Sequence, residues 1–218
     1  MKKLLAAIVV LAAPVAAHAQ SPAAMMDRAV KGYSDMSSMR ANFRQTITNP
    51  LTGTTATSHG ILLRKNPNLL SITFSDPKGD RVVSDGKSLW VYLPSSAPGQ
   101  VMKMPADAGS SMGMVDPGGL FLASPSTRYN ITGGGNATVG GRNTVVVNLV
   151  PKQPNNAFSQ AKVWVDAANY AIRQFEVVDV NGLTRRVTIS NVQANATIPA
   201  SSFSFTAPRG VRVIDGLN

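Results

Sequence analysis

The stretch RVVSDGKSLWVY, residues 81–92, places two short runs of strand-forming residues on either side of the dipeptide Asp85-Gly86. Valine, tryptophan and tyrosine are enriched in β-strands. Asp-Gly is a favoured two-residue hairpin turn, because glycine readily adopts the positive backbone angles that the turn requires. The stretch therefore predicts two antiparallel strands joined by a tight turn.

Similar runs separated by turn residues continue along most of the chain. Asn181-Gly182 predicts a second hairpin, and we interpret 133–135 and 140–141, which are glycine runs, as further turns. Besides the hairpin, strands are predicted at 58–66, 69–75, 101–104, 128–132, 144–150, 161–166, 171–179, 183–192 and 203–206. Regular strand spacing without interleaved helices favours one curled antiparallel sheet, either a barrel or a sandwich.

Residues 21–47 are predicted to form one helix followed by a strand. Ser21 is a suitable N-cap and Pro22 is tolerated in the first helical position, where its missing N–H is not needed. Met26, Ala29, Val30 and Tyr33 then have the spacing of one helical face. From Met39 the apolar period changes to two, in the order Met39, Ala41, Phe43, Gln45 and Ile47, which predicts a strand with one buried face.

Residues 1–19 have the features of a secretory signal peptide. Lys2 and Lys3 precede an apolar run from Leu4 to Val15, and small residues precede Gln20. The apolar run is shorter than the roughly 18 to 20 residues of a spanning helix. We expect cleavage after Ala19, which leaves residues 20–218 as a single exported domain.

Composition limits how this domain is held together and what it binds. The sequence contains no cysteine, so neither a disulfide nor a cysteine-linked lipid anchor is available, and a hydrophobic core must stabilise the fold. Without Lys2 and Lys3 the 21 basic residues become 19, against 11 acidic ones, a net charge of +8. Such a charge favours acidic partners, but the basic residues are scattered, as on an ordinary solvated surface.

The sequence offers little for catalysis, metal binding or nucleic-acid recognition. After the signal peptide, His59 is the only histidine, so no histidine-thiol pair or histidine-rich metal site is available. The pattern G-x-S-x-G at 109–113, centred on Ser111, lacks the preceding buried strand and the downstream histidine of a nucleophile elbow. The aromatic residues lie within strand patterns that suggest burial rather than base stacking. We therefore predict a protein without a catalytic site, metal or cofactor that does not bind nucleic acid.

Four short segments occur in a fixed order along the chain: Phe43-Arg44-Gln45, residues 60–69, residues 83–92 with Pro94 and Gln100, and the C-terminal segment 203–211. These ordered segments resemble those of the LolA family of periplasmic lipoprotein carriers. Together they span nearly the whole exported chain, from about 22 to 215. The resemblance implies a mainly β (α+β) fold, in which a curled antiparallel sheet forms an unclosed β-barrel and short helices cover its concave side.

The resemblance also implies a function and partners. Family members bind the acyl chains of lipoproteins in an apolar cavity. They receive their cargo from an inner-membrane lipoprotein-releasing ABC transporter and deliver it to an outer-membrane lipoprotein receptor. We accordingly expect a periplasmic monomer that acts as a chaperone and carrier. A periplasmic regulatory module that senses lipoproteins or lipids has the same body and is the alternative, although such regulators usually carry a second domain.

Strand alternation and the apolar content of one unusual loop predict the cavity residues. Residues 102–122 combine glycine, proline and small polar residues with methionines, whose flexible thioethers adapt to changing apolar contacts. We expect this segment to form a mobile lid, in which Asp116-Pro117 starts a short helix. The predicted cavity residues are Phe43, Leu62, Leu70, Ile72, Phe74, Leu89, Trp90, Met102, Met104, Met112, Met114, Leu120 and Phe121. Ordinary core packing against the N-terminal helix would produce the same apolar row at 70, 72 and 74.

Two polar residues are expected to hold the lid closed. In the family the position of Asn66 is often an arginine that hydrogen-bonds to lid carbonyls until cargo arrives. The asparagine side chain is shorter, and Arg64 lies two residues earlier on the same face of the strand. We therefore predict that Arg64, together with Asn66, forms a displaced latch.

Overall fold

The computed structural model describes residues 20–106, 124–153 and 158–216. Its helices are α1 (Pro22–Ser34), α2 (Pro125–Arg128) and a 3₁₀ helix (Ala200–Phe203). Its strands are β1 (Ser38–Thr48), β2 (Thr55–Lys65), β3 (Leu69–Asp76), β4 (Arg81–Asp85), β5 (Ser88–Tyr92), β6 (Gln100–Pro105), β7 (Tyr129–Val139), β8 (Arg142–Pro151), β9 (Gln160–Asp166), β10 (Ile172–Val178), β11 (Thr184–Ala194) and β12 (Arg212–Asp215).

All twelve strands form one sheet, in the order β12-β6-β5-β4-β3-β2-β1-β11-β10-β9-β8-β7. Neighbouring strands are antiparallel, except that β12 lies parallel to β6. Strands β12 and β7 occupy the two ends of the order, so the sheet is not closed. The predicted mainly β fold with an unclosed sheet is confirmed.

Helix α1 begins where the sequence predicts. Ser21 is the N-cap, and its hydroxyl oxygen accepts a hydrogen bond from the backbone N–H of Ala24 at 3.2 Å. The helix contacts β7, β8 and β9, and its buried side chains are Met25, Met26, Ala29 and Tyr33. We call the face of the sheet that shares its core with α1 the inner face, and the opposite one the outer face.

Alternation along the strands separates these two faces. In β1, Met39, Ala41 and Phe43 are buried in the core with α1, whereas Arg40 and Arg44 are exposed. The inner face continues across the other half of the sheet through one cross-strand row, which consists of Val187, Phe175, Val163 and Val147. One hydrophobic core therefore joins α1 to both halves of the sheet.

A second, smaller apolar cluster lies on the outer face. The C-terminal segment crosses this face, and its 3₁₀ helix contacts β3 and β4. Phe203 in the 3₁₀ helix, Val83 in β4 and Val101 in β6 are buried but lie outside the core shared with α1. Part of the sheet is thus covered on both sides.

Three predictions of local structure are wrong. The glycine run 133–135 lies inside β7, at a shift of register between Gly133 and Asn136, because a bulge accommodates residues that would otherwise mark a turn. The predicted strand 203–206 begins at the end of the 3₁₀ helix and is not in the sheet. Strand β12 is absent from the predicted strands, because its four residues are too short for a clear alternating pattern.

Asp166, at the end of β9, is a buried carboxylate held by two arginines. One of its oxygens accepts hydrogen bonds from Nε of Arg142 and Nε of Arg173, both at 2.9 Å, while its side chain is only 1% exposed. Its other oxygen accepts from the backbone N–H of Ala168 at 2.9 Å. The hydrogen bond from Arg142, aided by Ala168 and Arg173, keeps the pKa of Asp166 well below its usual value even though burial raises it.

Replacing Asp166 with asparagine is therefore expected to lower the free energy of unfolding at pH 7 by about 2 to 3 kcal/mol. Because the folded-state pKa is depressed, this contribution is complete above about pH 4 and is lost as the pH falls below the value for an unfolded aspartate. Urea unfolding at pH 7 and at low pH measures it. The two proteins should converge in stability in acid.

Asp35→Asn is the matched control for this measurement. Asp35 forms an ion pair with Lys31 at 2.7 Å, but both side chains are more than half exposed. Exposed pairs at this helical spacing contribute less than about 0.5 kcal/mol. Equal losses in Asp166→Asn and Asp35→Asn would contradict the structural role assigned to the buried carboxylate.

Candidate functional site

Two rows of inner-face side chains cross strands β1 to β6, and a third row crosses β1 to β3. Directly paired residues of neighbouring antiparallel strands point to the same face, so the register defines each row. The central row is Ala41, Leu62, Ile72, Val82, Val91 and Met102. The row on one side is Met39, Arg64, Leu70, Ser84, Leu89 and Met104. These two rows contain six of the predicted cavity residues, and the third row adds Phe43 and Phe74. Eight predicted cavity residues therefore lie on one face.

Phe43 and Phe74 belong to the third row, in which Gly60 lies between them. Their rings meet edge to face with centroids 5.2 Å apart. Gly60 has no side chain to separate them, and a Cβ atom there would clash with the backbone carbonyl oxygen of Thr73. The glycine thus permits both the close approach of β3 and the aromatic contact across β2.

The predicted cavity residues differ in how accessible they are. Leu62, Ile72 and Leu89 are at most 1% exposed and belong to the closed core. Leu70, Phe74 and Met104 are only partly buried and pack against that core, and Met102 near the end of the row is 38% exposed. The second group forms the part of the inner face that a ligand would meet first.

Trp90 does not line this face, so its assignment to the cavity is wrong. Its neighbour Leu89 points inward, and successive side chains of a strand point to opposite sides. On the outer face the Trp90 ring lies 5.6 Å from the ring of Phe205, and Nζ of Lys103 lies 5.1 Å from its centroid. Its indole N–H donates to the Asp85 carboxylate at 3.3 Å.

Several predicted features lie outside the described residues. Met112, Met114, Leu120 and Phe121 fall in the segment 107–123, as does most of the predicted lid. The serine pattern at 109–113 and the short helix predicted from Asp116 fall in the same segment. Residues 1–19, the predicted signal peptide, are also outside the described part of the chain.

Arg64 binds the last turn of α1, and both Arg64 and Asn66 bind Met36, which lies just after the helix. The guanidinium of Arg64 donates to the carbonyl oxygens of Tyr33 at 2.9 Å and Met36 at 3.0 Å. It also lies over the Tyr33 ring, 4.2 Å from the centroid. The side-chain amide of Asn66 donates to the same Met36 carbonyl at 3.1 Å. Among the described residues, the group that this pair holds is therefore the N-terminal helix.

Nε of Arg64 is buried without a hydrogen-bond partner in the described parts of the chain. A helix C-terminus carries partial negative charge on its unpaired carbonyls, which favours a cation at this position. The contact is thus attractive, yet one donor remains unsatisfied. Such a contact can be broken at less cost than a fully satisfied buried network.

The described residues show no arrangement for metal binding. They contain no group of three or more histidine, aspartate or glutamate side chains that could hold a metal ion. His59 is exposed on the outer face beside Arg44.

Over the same described ranges, none of the helices has both the length and the apolar character needed to cross a bilayer.

Comparison with known proteins identifies the family. Residues 34–206 match the sequence pattern of the family described as outer membrane lipoprotein carrier protein LolA. An outer-membrane lipoprotein carrier protein of Yersinia enterocolitica is 28% identical over 217 residues, covering 99% of this chain and 98% of the relative. The protein of the same description from Methylibium petroleiphilum is 29% identical over 186 residues, covering 85% of this chain and 87% of the relative.

One solved structure shows the likeness of the fold. The crystal structure of an uncharacterized conserved protein from Thermus thermophilus superposes with a TM-score of 0.56 at 12% sequence identity, covering 90% of this chain and 100% of that one. At this identity the likeness concerns the fold alone. The family match, in contrast, spans more than half of the sequence and includes the inner-face strands. This chain therefore belongs to the family of the outer membrane lipoprotein carrier protein LolA.

Proposed function

We propose that this protein is a non-enzymatic carrier that binds the acyl chains of lipoproteins on the inner face of its sheet and takes them across the periplasm. The observation that carries the proposal is the apolar patch of Phe74, Leu70 and Met104, partly accessible and continuous with the buried core. Membership of the LolA family and relatives described as lipoprotein carriers support the same function.

A carrier of acyl chains must offset a large free energy of exposing hydrocarbon to water. Exposing hydrocarbon to water costs about 0.8 kcal/mol per methylene, so one sixteen-carbon chain represents on the order of 12 kcal/mol. A protein that moves the chain through water must cover most of it. It must also release the chain, so closure of the empty protein must compete with binding.

Helix α1 is suited to this competition. It covers part of the inner face, and its C-terminal end is attached to β2 by Arg64 and Asn66. Arg64 pairs with Leu70 in the row that ends at Met104, so separation of this end would release the direct neighbour of the accessible residue Leu70. In our proposal the latch closes the empty carrier and opens as acyl chains enter.

We further propose that the carrier acts as a monomer between two partners. It would receive lipoproteins from an inner-membrane lipoprotein-releasing ABC transporter and pass them to an outer-membrane lipoprotein receptor. A net charge of +8 after removal of residues 1–19 would favour docking on acidic surfaces of either partner. Arg44, exposed on the outer face, is a candidate for such contacts.

Native mass spectrometry of the protein purified from the periplasm tests the proposed function. We expect a fraction of molecules to carry one intact lipoprotein, and washing with detergent to remove it. Re-incubation of the stripped protein with vesicles that contain a tagged lipoprotein should return the tag to the soluble fraction. Recovery of only ligand-free protein in both experiments would refute the carrier function.

A further inference from the structure

Gln45 is a buried polar residue that lies beside apolar residues of the inner face. It lies in β1 two residues after Phe43, and its side chain is 7% exposed. Its cross-strand neighbours are Ser58 in β2 and Val187 in β11. Gln45 and Ser58 therefore extend the apolar row of Val187, Phe175, Val163 and Val147 with two polar groups.

The hydrogen bonding of Gln45 is incomplete. Its amide Nε2 donates to Oγ of Ser58 at 3.2 Å, but its Oε1 is buried and has no hydrogen-bond partner in the described segments. A buried acceptor without a partner costs about 1 to 3 kcal/mol. A ligand that brings a hydrogen-bond donor to Oε1 would remove this cost.

The position of Gln45 defines what kind of donor would reach it. Along β1, Phe43 lies about 7 Å from Gln45 on the same face, and the Phe43 ring contacts Phe74 at the accessible part of the patch. An acyl chain that lies against these two rings with its polar end toward Gln45 would place its first polar group beside that side chain. The matching group is therefore a donor at the root of the chain.

Beyond Gln45, the inner face of the sheet becomes more polar. Arg185 pairs with Ile47 in β1 and with Val177 in β10, which puts it on the inner face two residues from Val187. Arg185 is partly buried and interacts electrostatically with the carboxylate of Asp179. The inner face thus changes along β1 from aromatic at Phe43, through the amide of Gln45, to a region with charged groups at Arg185. This order matches a molecule with a chain, a linkage and a polar head.

We propose that Gln45 and Ser58 form a linkage-recognition site that favours acyl chains attached through an amide. The amide N–H of the ligand donates to Oε1 of Gln45, and the second hydrogen of Nε2 is available to the ligand carbonyl. An ester linkage has the carbonyl but no N–H, so it leaves Oε1 unpaired. The free hydroxyl of an acylglycerol is another source of a donor, but it lies farther from the carbonyl. This inference rests on the proposed function, since it concerns the same inner face.

Two ligands that differ in one group test the site. N-palmitoylglycine methyl ester contains an amide N–H, and its isostere, the palmitoyl ester of methyl glycolate, has oxygen there instead. Each competes with a fluorescent fatty-acid probe for the full mature protein, and 1-monopalmitoylglycerol provides the hydroxyl arm. We expect the amide to bind about tenfold more tightly than its ester isostere, the value of one net buried hydrogen bond.

Gln45→Leu should reduce this ratio to about one, because it removes the acceptor that distinguishes the amide from the ester. The matched control is Gln174→Leu, which makes the same change in β10 on the outer face, where Gln174 accepts from Thr188. This control should keep the tenfold ratio. Thermal unfolding of both variants verifies that they are folded.

The outcomes separate the two proposals. Equal affinity of wild-type protein for amide and ester, or an unchanged ratio in Gln45→Leu, would overturn the linkage site and leave the acyl carrier intact. Tighter binding of the monoacylglycerol than of the amide would also overturn it. If neither acyl ligand displaces the probe, acyl binding itself fails and the linkage site fails with it.

Discussion

Replacing Phe74 with glutamate is expected to weaken the binding of a palmitoyl ligand by at least a hundredfold. Phe74 lies in the accessible part of the inner face and contacts the Phe43 ring. When an acyl chain binds, a carboxylate at this position would have to lose its hydration. If it kept its hydration, it would exclude the chain from this part of the face. Losing contact with about four methylenes corresponds to about 3 kcal/mol, which is more than a hundredfold in affinity.

The measurement is direct titration of an acyl ligand, and Thr73→Glu is its control. Thr73 is the preceding residue of β3 and is exposed on the outer face. The two variants therefore have the same charge change on opposite sides of one strand. Leu70→Glu, in the neighbouring row, should behave like Phe74→Glu. If Phe74→Glu binds as wild type does, or if Thr73→Glu is equally impaired, the inner face is not the binding surface.

Replacing Arg64 with leucine is expected to trap the carrier in its loaded form. The substitution removes two charge-assisted hydrogen bonds, to the carbonyls of Tyr33 and Met36, and the contact with the Tyr33 ring. In the mechanism that we propose, these contacts favour the closed, empty state. Hydrogen bonds to charged groups contribute about 1.5 to 3 kcal/mol each, so losing about 3 kcal/mol in total shifts the balance toward the open state by about a hundredfold.

Transfer of a bound lipopeptide from the protein to acceptor vesicles measures this effect. Arg64→Leu should bind the lipopeptide as wild type does. The ratio of released to bound lipopeptide should be about a hundredfold lower than for wild type. Arg40→Leu is the control, because it removes the same charge from an exposed outer-face position of β1. Normal discharge by Arg64→Leu would rule out the latch, and an equal defect in Arg40→Leu would point to a general effect of charge.

The sequence predicts the local elements well where short-range rules govern them. The Ser21 cap, the alternation in β1 and the turns at Asp85-Gly86 and Asn181-Gly182 appear as expected. Each depends on residues within a few positions of one another. The prediction for the glycine run in β7 is wrong because the same residues suit a turn and a bulge, and only pairing with β8 distinguishes them.

The sequence predicts the site less completely, as Trp90 and Gln45 illustrate. Trp90 is large and apolar, which favours a place in the cavity, but its neighbour Leu89 occupies the inward position. Gln45 belongs to the inward row that the alternation in β1 predicts, yet its unpaired oxygen depends on the side chains that β2 and β11 bring beside it. No pattern within β1 contains that information.

The sequence by itself determined which residues share a side of each strand, because side chains alternate with a period of two along the backbone. It also determined that a hydrophobic core must hold the chain, since no cysteine is available. Only the tertiary structure decided which side meets α1, and that Arg64 reaches carbonyls 28 and 31 residues away. Those contacts arise from strand pairing and helix packing, which join residues that are distant in sequence.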